Sequence, residues 1–155
     1  MINPKVFIID VDGVLTDGKM YYTAEGKYMK AFSVDDHDAL KMLMPHIEII
    51  VISGDKAGRE IAMKRVYDDM NLPFFIRGVT ERLDWIKSEF NPKEVVYMGD
   101  GIFDNKVFEE VGYAITVNNA FDHVKESADY ITKRNGGDRA VAESCLHLLE
   151  RFFSE

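Results

Sequence analysis

Six short, mostly apolar segments recur along the chain, and they restrict its fold more than any other feature of the sequence. Because each is apolar on both faces, the segments are typical of parallel strands that helices cover on both sides. Helical patterns separate them and complete a repeated strand–helix alternation. The predicted strands lie at residues 6–9, 47–52, 73–76, 95–98, 113–117 and 128–131. The predicted helices lie at roughly residues 36–44, 56–70, 80–90, 105–111 and 139–153.

This alternation predicts a doubly wound, Rossmann-like α/β fold built on a parallel sheet. No linker, internal repeat or low-complexity stretch interrupts the pattern. We therefore expect a single domain over residues 1–155 without a large cap domain.

One segment departs from the alternation. Residues 18–33 read GKMYYTAEGKYMKAFS, directly after the first predicted strand, where a helix would be expected. The segment is rich in aromatic residues, and Ala24-Glu25-Gly26 is typical of a turn, so it predicts a β-hairpin. Its aromatic and methionine side chains are too apolar for a surface that faces only water, which indicates an interface.

Composition excludes several classes of protein. The chain carries 19 Lys and Arg against 27 Asp and Glu, a formal net charge of −8, and shows no basic patch, so we expect no nucleic-acid partner. Its single cysteine, Cys145, excludes an intrachain disulfide and a cysteine-based metal cluster. With no secretory signal and no apolar run of membrane-spanning length, we expect a cytoplasmic protein without membrane association.

Polar residues follow the predicted strands where ligands bind in open α/β sheets, beyond the carboxyl ends of the strands. These residues are Asp10, Asp12, Ser53, Asp100 and Asp104. Four carboxylates at one edge repel one another, and a cation would neutralise them. Because the set offers oxygen ligands and neither histidine nor cysteine, it favours Mg²⁺ over Zn²⁺.

The pair of aspartates after the first strand can divide two chemical roles. Asp10 could attack phosphorus as a nucleophile, while Asp12 could protonate the leaving oxygen and then activate water. Gly13 would allow the close backbone approach that a phosphate needs. Taken alone, Asp12 and Gly13 are more simply explained as an Asp-Gly turn with capping carboxylates. The whole segment at 10–18 after an apolar strand favours a catalytic site.

That segment, DVDGVLTDG, resembles motif I of the haloacid dehalogenase superfamily of phosphatases. The LTDG ending and the aromatic hairpin resemble its small-capped branch, over residues 5–149. This branch includes 3-deoxy-D-manno-octulosonate 8-phosphate phosphatases, related sugar-acid phosphatases and the C-terminal domain of vertebrate CMP-sialate synthetases.

The resemblance implies roles for further residues. Ser53, in motif II, would hydrogen-bond the transferring phosphoryl group beside Gly54, although a serine there could also cap the next helix. Mg²⁺ would bind Asp10, Asp100 and the main-chain carbonyl of Asp12, and Asp104 would hold a water or orient a ligand, or simply cap a helix.

Three departures from the family pattern concern the metal, the phosphate and the substrate. Gly101 replaces a second acid. Arg82 stands where motif III has a lysine, with Lys87 as the alternative cation on the same helix; arginine is bulkier but can grip phosphate with two hydrogen bonds. In the tail, the family has a glycine-rich loop with an arginine that enters a neighbouring subunit's site. Asp138 stands at the position of that arginine. Arg139 lies one position later, and we expect it to bind substrate in its place.

A related change follows the hairpin, where Asp35-Asp36-His37-Asp38 replaces the usual Asp-Gly step. We expect His37 to be a loop or substrate-edge residue rather than a metal ligand. Both changed segments lie where selectivity would be set, so they leave open which sugar acid is the substrate and whether it belongs to a lipopolysaccharide or another surface-glycan pathway.

The sequence thus predicts a Mg²⁺-dependent phosphatase acting on a sugar-acid phosphate, either 3-deoxy-D-manno-octulosonate 8-phosphate or a nonulosonate 9-phosphate, through an aspartyl-phosphate. The resemblance also implies a homotetramer with the hairpins packed at its centre. Two alternatives stay open. The first is a non-catalytic oligomerisation module, which Gly101 and Arg82 favour and the intact pair of Asp10 and Asp12 opposes. The second is a phosphoacceptor signalling domain. Asp12 and the Ser53 hydroxyl argue against it, because such a domain needs no acid two residues after its phosphorylated aspartate.

Overall fold

The computed structural model describes residues 2–154, and six strands of this range form one parallel sheet. The sheet order is β5-β4-β1-β6-β7-β8, and every neighbouring pair is parallel. The sheet strands are β1 (Val6–Asp10), β4 (Glu48–Ser53), β5 (Phe74–Ile76), β6 (Val95–Met98), β7 (Tyr113–Thr116) and β8 (Tyr130–Ile131). The two remaining strands, β2 (Tyr21–Thr23) and β3 (Gly26–Met29), pair with each other.

Helices cover both faces of this sheet. They are α1 (Val34–Leu43), α2 (Arg59–Met63), α3 (Arg82–Glu89), α4 (Asp104–Phe108), α5 (Asp122–Glu126) and α6 (Ala140–Leu148). Both α2 and α6 continue into wider π-type turns, Lys64–Asp69 and Leu149–Phe153, and a short 3₁₀ turn spans Pro92–Glu94. No helix in the described range is long and apolar enough to cross a membrane.

Strand β1 shows why its segment is apolar at every position. Phe7 and Ile9 pack into one core with α1, α2 and α6, whereas Val6 and Ile8 pack into a second core with α3, α4 and α5. Successive side chains of a strand point to opposite faces, so burial on both faces requires an unbroken apolar run. The predicted doubly wound α/β fold is confirmed, and all six predicted strands are present.

The helices differ from the predicted ranges mainly at their ends. The predicted helix at 56–70 begins only at Arg59, and the one at 139–153 begins at Ala140, because Arg139 adopts a left-handed conformation with φ 63°. The short helix α5 was not predicted, since one turn and a half carries little periodicity. His37 lies within α1 rather than in a loop.

The aromatic hairpin is present as predicted. Its strands β2 and β3 are antiparallel, and Tyr21 meets Tyr28 edge to face, with ring centroids 6.5 Å apart. Tyr22, Tyr28 and Met29 are exposed, whereas the following residue, Lys30, is buried. The strands of the hairpin therefore expose an apolar surface, and the chain returns to the protein interior at Lys30.

The glycine pair of the tail packs beneath the loop that follows β1. A Cβ on Gly136 would overlap the main-chain oxygen of Gly13, and Gly137 donates its N–H to the carbonyl of Val14 at 3.1 Å. The helix behind this pair, α6, is held by Asp36 of α1, whose Oδ1 accepts the N–H of Ala142 at 2.9 Å. Burial raises the pKa of Asp36 to about 6.

We predict that Gly136→Ala lowers the free energy of unfolding by about 2 kcal/mol, because the new methyl group meets rigid backbone rather than a mobile side chain. Gly54→Ala is the matched control: its Cβ would have 3.6 Å contacts at closest, so its effect stays within about 0.5 kcal/mol. Urea denaturation followed by circular dichroism measures both. Equal stability of the two variants would contradict the tight packing of the tail on the β1 loop.

Candidate active site

The centre of the candidate site is an ion pair between the last residue of β1 and the first residue of α3. Arg82 donates from Nη1 to Asp10 Oδ2 at 3.1 Å and from Nη2 to Oδ1 at 3.2 Å. Both side chains are buried. Arg82 also donates to the Tyr97 hydroxyl at 2.9 Å, to the carbonyl of Arg77 at 3.2 Å and to Asp104 Oδ1 at 3.4 Å, so four residues hold its guanidinium group.

Two more carboxylates approach this pair from the loop after β6. Single oxygens of Asp10, Asp100 and Asp104 all lie within 4.8 Å of one another, an arrangement that can hold a metal ion. Asp104 begins α4 and accepts hydrogen bonds from the Tyr97 hydroxyl at 2.7 Å and the N–H of Gly101 at 2.8 Å. Asp104 is thus largely occupied by protein donors.

The carboxyl groups at this centre are strongly perturbed. Burial raises the pKa of Asp10 to about 7, against the lowering effect of Arg82. Burial, with repulsion from Asp10 and Asp104, raises the pKa of Asp100 to about 8. Perturbation of this kind, concentrated on neighbouring groups at one edge of a sheet, is typical of functional sites.

The loop after β1 brings its backbone against these acids. Gly13 has φ 84°, and a Cβ at this position would overlap the carboxylate of Asp100. Thr16 fixes the loop, because its buried Oγ1 accepts the N–H groups of Gly13 and Gly18, each at 3.2 Å. The absence of a side chain at Gly13 thus makes room for Asp100, and the close approach of a phosphate to Gly13 stays a prediction.

Asp12 lies beside Asp10 and accepts hydrogen bonds on both of its oxygens. Ser53 Oγ donates to Oδ2 at 2.9 Å, and Lys30 Nζ donates to Oδ1 at 2.7 Å. Ser53 also accepts the N–H of Asp55 at 3.0 Å, but α2 begins only at Arg59, so Ser53 does not cap that helix.

The base of the hairpin adds a second group of charges to the site. Asp55 forms ion pairs with Lys27 and with Lys30, the latter at 2.9 Å. Burial alone would raise the pKa of Asp55, but the two lysine ammonium groups beside it hold the pKa below its ordinary value. These three residues were missed in the sequence, although Asp55 follows β4 by two residues and could have been found by extending each strand end.

A cavity of about 460 Å³ opens over these groups. It is lined by Asp10, Asp12, Gly18, Met20, Lys27, Gly54, Asp55, Val79, Arg82, Asp100 and Gly101. Arg139, predicted to bind substrate, does not line it, and its guanidinium group lies 3.3 Å from Asp138 and 4.0 Å from Asp35. The alternative cation Lys87 faces Glu110 at 3.8 Å, so of the two candidates for motif III only Arg82 lies at the site.

The charges of the site do not balance. Five carboxylates, on Asp10, Asp12, Asp55, Asp100 and Asp104, face three cations, on Lys27, Lys30 and Arg82. With every group ionised, the excess is two negative charges, which one divalent cation would neutralise. The donor set and the charge therefore both fit a hard divalent metal.

The sheet order and the two clusters of aspartates after β1 and β6 define a haloacid dehalogenase-like hydrolase. A model of the haloacid dehalogenase-like hydrolase family matches residues 86–144. The 3-deoxy-D-manno-octulosonate 8-phosphate phosphatase of Escherichia coli strain K12 is 35% identical over 156 residues, covering 95% of this chain and 80% of that protein.

Solved structures agree with this assignment. The cobalt-bound deoxy-D-mannose-octulosonate 8-phosphate phosphatase of Haemophilus influenzae matches with a TM-score of 0.84 and 32% identity, covering 97% of this chain and 90% of that one. The Moraxella catarrhalis 3-deoxy-D-manno-octulosonate 8-phosphate phosphatase, in complex with magnesium, phosphate and KDO, matches with a TM-score of 0.83 and 31% identity, covering 96% and 87%. The chain belongs to the 3-deoxy-D-manno-octulosonate 8-phosphate phosphatase family and is a phosphoric monoester hydrolase.

We predict that Arg82→Met destabilises the protein by about 3–5 kcal/mol at pH 8, because it leaves buried carboxylates without their cation. The loss is smaller at pH 6, where Asp10 and Asp100, whose pKa values are raised to about 7 and about 8, bind protons and no longer repel each other. Lys87→Met, on the exposed face of the same helix, is the control and changes stability by less than about 0.5 kcal/mol. A loss that does not depend on pH would contradict this electrostatic origin.

Proposed function

We propose that this chain is a Mg²⁺-dependent phosphatase that hydrolyses 3-deoxy-D-manno-octulosonate 8-phosphate, or a related nonulosonate 9-phosphate, through an aspartyl-phosphate on Asp10. One observation carries the proposal: Asp10, Asp12 and Asp100, from two different strand ends, line one cavity. The relatives named for this substrate, and the Moraxella structure with magnesium, phosphate and KDO, support the choice of metal and of sugar acid.

The residues that would hold Mg²⁺ are Asp10, Asp100 and the main-chain carbonyl of Asp12. Asp104 would support them from behind, since it already accepts hydrogen bonds from Tyr97 and Gly101. When bound, the metal neutralises Asp10 and a phosphoryl oxygen, which lets two anions approach each other. The family pattern has a second acid where this chain has Gly101. Because glycine adds no charge, the excess of the site stays at two negative charges, which one divalent ion would neutralise.

Asp10 is the nucleophile of the proposed reaction. A carboxylate oxygen of Asp10 bonds to phosphorus while the bond between phosphorus and the ester oxygen breaks. Arg82 grips both oxygens of this carboxylate, which fixes its plane and offsets its charge. The backbone of Gly54 lines the cavity and would orient the phosphoryl group, whereas the Ser53 hydroxyl, predicted for that role, donates its proton to Asp12.

Asp12 handles the protons of both half-reactions. In the first, its carboxyl proton passes to the departing alcohol oxygen, and the sugar acid leaves as a neutral alcohol at that position. In the second, Asp12 takes a proton from water, whose oxygen attacks phosphorus and breaks the bond to Asp10. Inorganic phosphate is released, and both aspartates return to their starting states.

The assembly and the domain organisation belong to the same proposal. The described residues form one sheet with a hairpin and no large cap, which supports a single domain with an open site. Without a cap domain, the site would have to be covered by another subunit. The hairpin offers an apolar surface for subunit contact, formed by the exposed Tyr21, Tyr22, Tyr28 and Met29. We propose a homotetramer in which the hairpins pack together.

The deciding experiment is phosphate release from 3-deoxy-D-manno-octulosonate 8-phosphate, sialic acid and KDN 9-phosphates, and hexose phosphates, with and without Mg²⁺. We predict metal-dependent release from a sugar-acid phosphate and its loss in Asp10→Asn. The exposed Asp68→Asn, in the π-type turn after α2, is the control and retains activity. A folded, tetrameric protein that releases no phosphate from any of these would favour the oligomerisation module instead.

A second prediction concerns the intermediate. In Asp12→Asn the second half-reaction lacks its base, so an aryl phosphate with an acidic leaving group should phosphorylate Asp10 and then stall. Mass spectrometry of the quenched protein should show one added phosphoryl group, absent from Asp10→Asn. Turnover without any such adduct, in a rapid-quench series, would argue for direct attack by water.

A third prediction follows from the perturbed carboxyl groups. Asp10 and Asp100, with pKa values raised to about 7 and about 8, bind protons near neutral pH, and Mg²⁺ requires both to be ionised. Metal binding therefore releases protons at pH 7, and the apparent affinity rises as the pH increases to about 8. Titration calorimetry in two buffers of different ionisation enthalpy measures the release, and identical heats in both would contradict it.

A further inference from the structure

Lys30, at the end of the hairpin segment, contacts the carboxylate of Asp12 directly. It follows the last residue of β3, and its side chain is only 1% exposed. Its Nζ lies 2.7 Å from Asp12 Oδ1 and 2.9 Å from Asp55 Oδ2. A lysine this deeply buried is unusual unless its charge is paired, and here it is paired twice.

Lys30 donates one of the two side-chain hydrogen bonds that the Asp12 carboxylate accepts. Each carboxylate oxygen accepts one side-chain hydrogen bond, from Lys30 on one side and from Ser53 at 2.9 Å on the other. Ser53 ends β4 and belongs to the sheet, whereas Lys30 belongs to the hairpin. Two donors on opposite oxygens fix the rotation of the carboxyl group, which a single donor cannot do.

Asp55 holds Lys30 in turn. It ion-pairs with Lys30 and also with Lys27, so two lysines of the hairpin meet one carboxylate of the sheet edge. The space for this group is made by Gly58, where a Cβ would overlap Asp55 and lie 2.9 Å from the end of the Lys30 side chain. The network therefore runs from the hairpin, through Asp55 and Lys30, to Asp12.

We infer that Lys30 is a positioning residue for the catalytic Asp12, and that Asp55 fixes Lys30 for this purpose. This inference rests on the proposed function, in which Asp12 delivers a proton to the leaving oxygen. The hairpin is then part of the catalytic apparatus and not only an assembly surface. Proton transfer requires hydrogen-bond geometry, so a carboxyl group that is free to rotate loses most of its catalytic effect.

The test compares substrates that differ in their need for a proton. The alcohol of 3-deoxy-D-manno-octulosonate 8-phosphate leaves only when protonated, whereas p-nitrophenolate leaves without a proton. We expect Lys30→Met to lower kcat on the sugar phosphate by about 100-fold with KM changed by less than about 3-fold. The initial burst of p-nitrophenolate, which reports the first half-reaction alone, should stay within about 10-fold of the wild-type rate.

Two further variants complete the design. Lys30→Arg keeps the charge and the donors and should recover at least about 10-fold of the lost kcat. Lys41→Met removes an exposed lysine of α1 and should leave both substrates unaffected. If Lys30→Met fails to fold, as judged by circular dichroism, Asp55→Asn takes its place, since it removes the anchor of Lys30 without touching Asp12, with an expected loss of about 10-fold on the sugar phosphate alone.

The outcomes separate the inference from the function on which it rests. Equal losses on both substrates would show that Lys30 supports only the fold, and losses no larger than those of Lys41→Met would show no role; either overturns the inference. In both cases a wild-type protein with full Mg²⁺-dependent turnover leaves the proposed function intact. A wild-type protein that hydrolyses neither substrate overturns the function and the inference together.

Discussion

The buried ion pair between Asp10 and Arg82 is the interaction on which the rest of the site depends. It joins the end of the central strand to the start of α3, and through Tyr97 and Asp104 it also reaches β6 and α4. A buried charge is costly without a partner, so the proposed nucleophile can stay in the protein interior only because the guanidinium group is there. The same pair makes the site rigid before any ligand arrives.

An arginine changes what this position can do. A lysine ammonium group is a point charge that can contact one carboxylate oxygen and turn to a substrate, whereas the planar guanidinium group of Arg82 holds both oxygens of Asp10. Both terminal nitrogens of Arg82 are thus used by Asp10, and Lys27 is the other cation in the described lining of the cavity. In the proposed function, recognition of an anionic substrate then depends on Lys27, the backbone of Gly54 and the metal.

The fold could be predicted from the sequence because its strands are buried on both faces, as Phe7, Ile8 and Ile9 show. The carboxylates could be predicted because they directly follow strands, and parallel strands end at one edge. Contacts between distant elements left no local signal. No residue near Lys30 in the sequence indicates that Lys30 pairs with Asp55. Likewise, the residues around Arg139 do not indicate that its side chain contacts Asp35 and Asp138 instead of the cavity.

The glycine pair of the tail has a consequence for how the protein forms. Gly136 and Gly137 lie under the backbone of the loop that carries Asp12 and Gly13, so residues more than a hundred positions apart must meet before that loop is complete. Contacts of such long range form late in folding, because closing a long loop has to precede them. A ribosome-bound chain that has completed β1, β4 and β6 therefore still lacks the glycine pair that packs beneath the loop after β1. Hydrolysis of phosphate esters then has to wait until Gly136 and Gly137 have been synthesised and have packed beneath this loop.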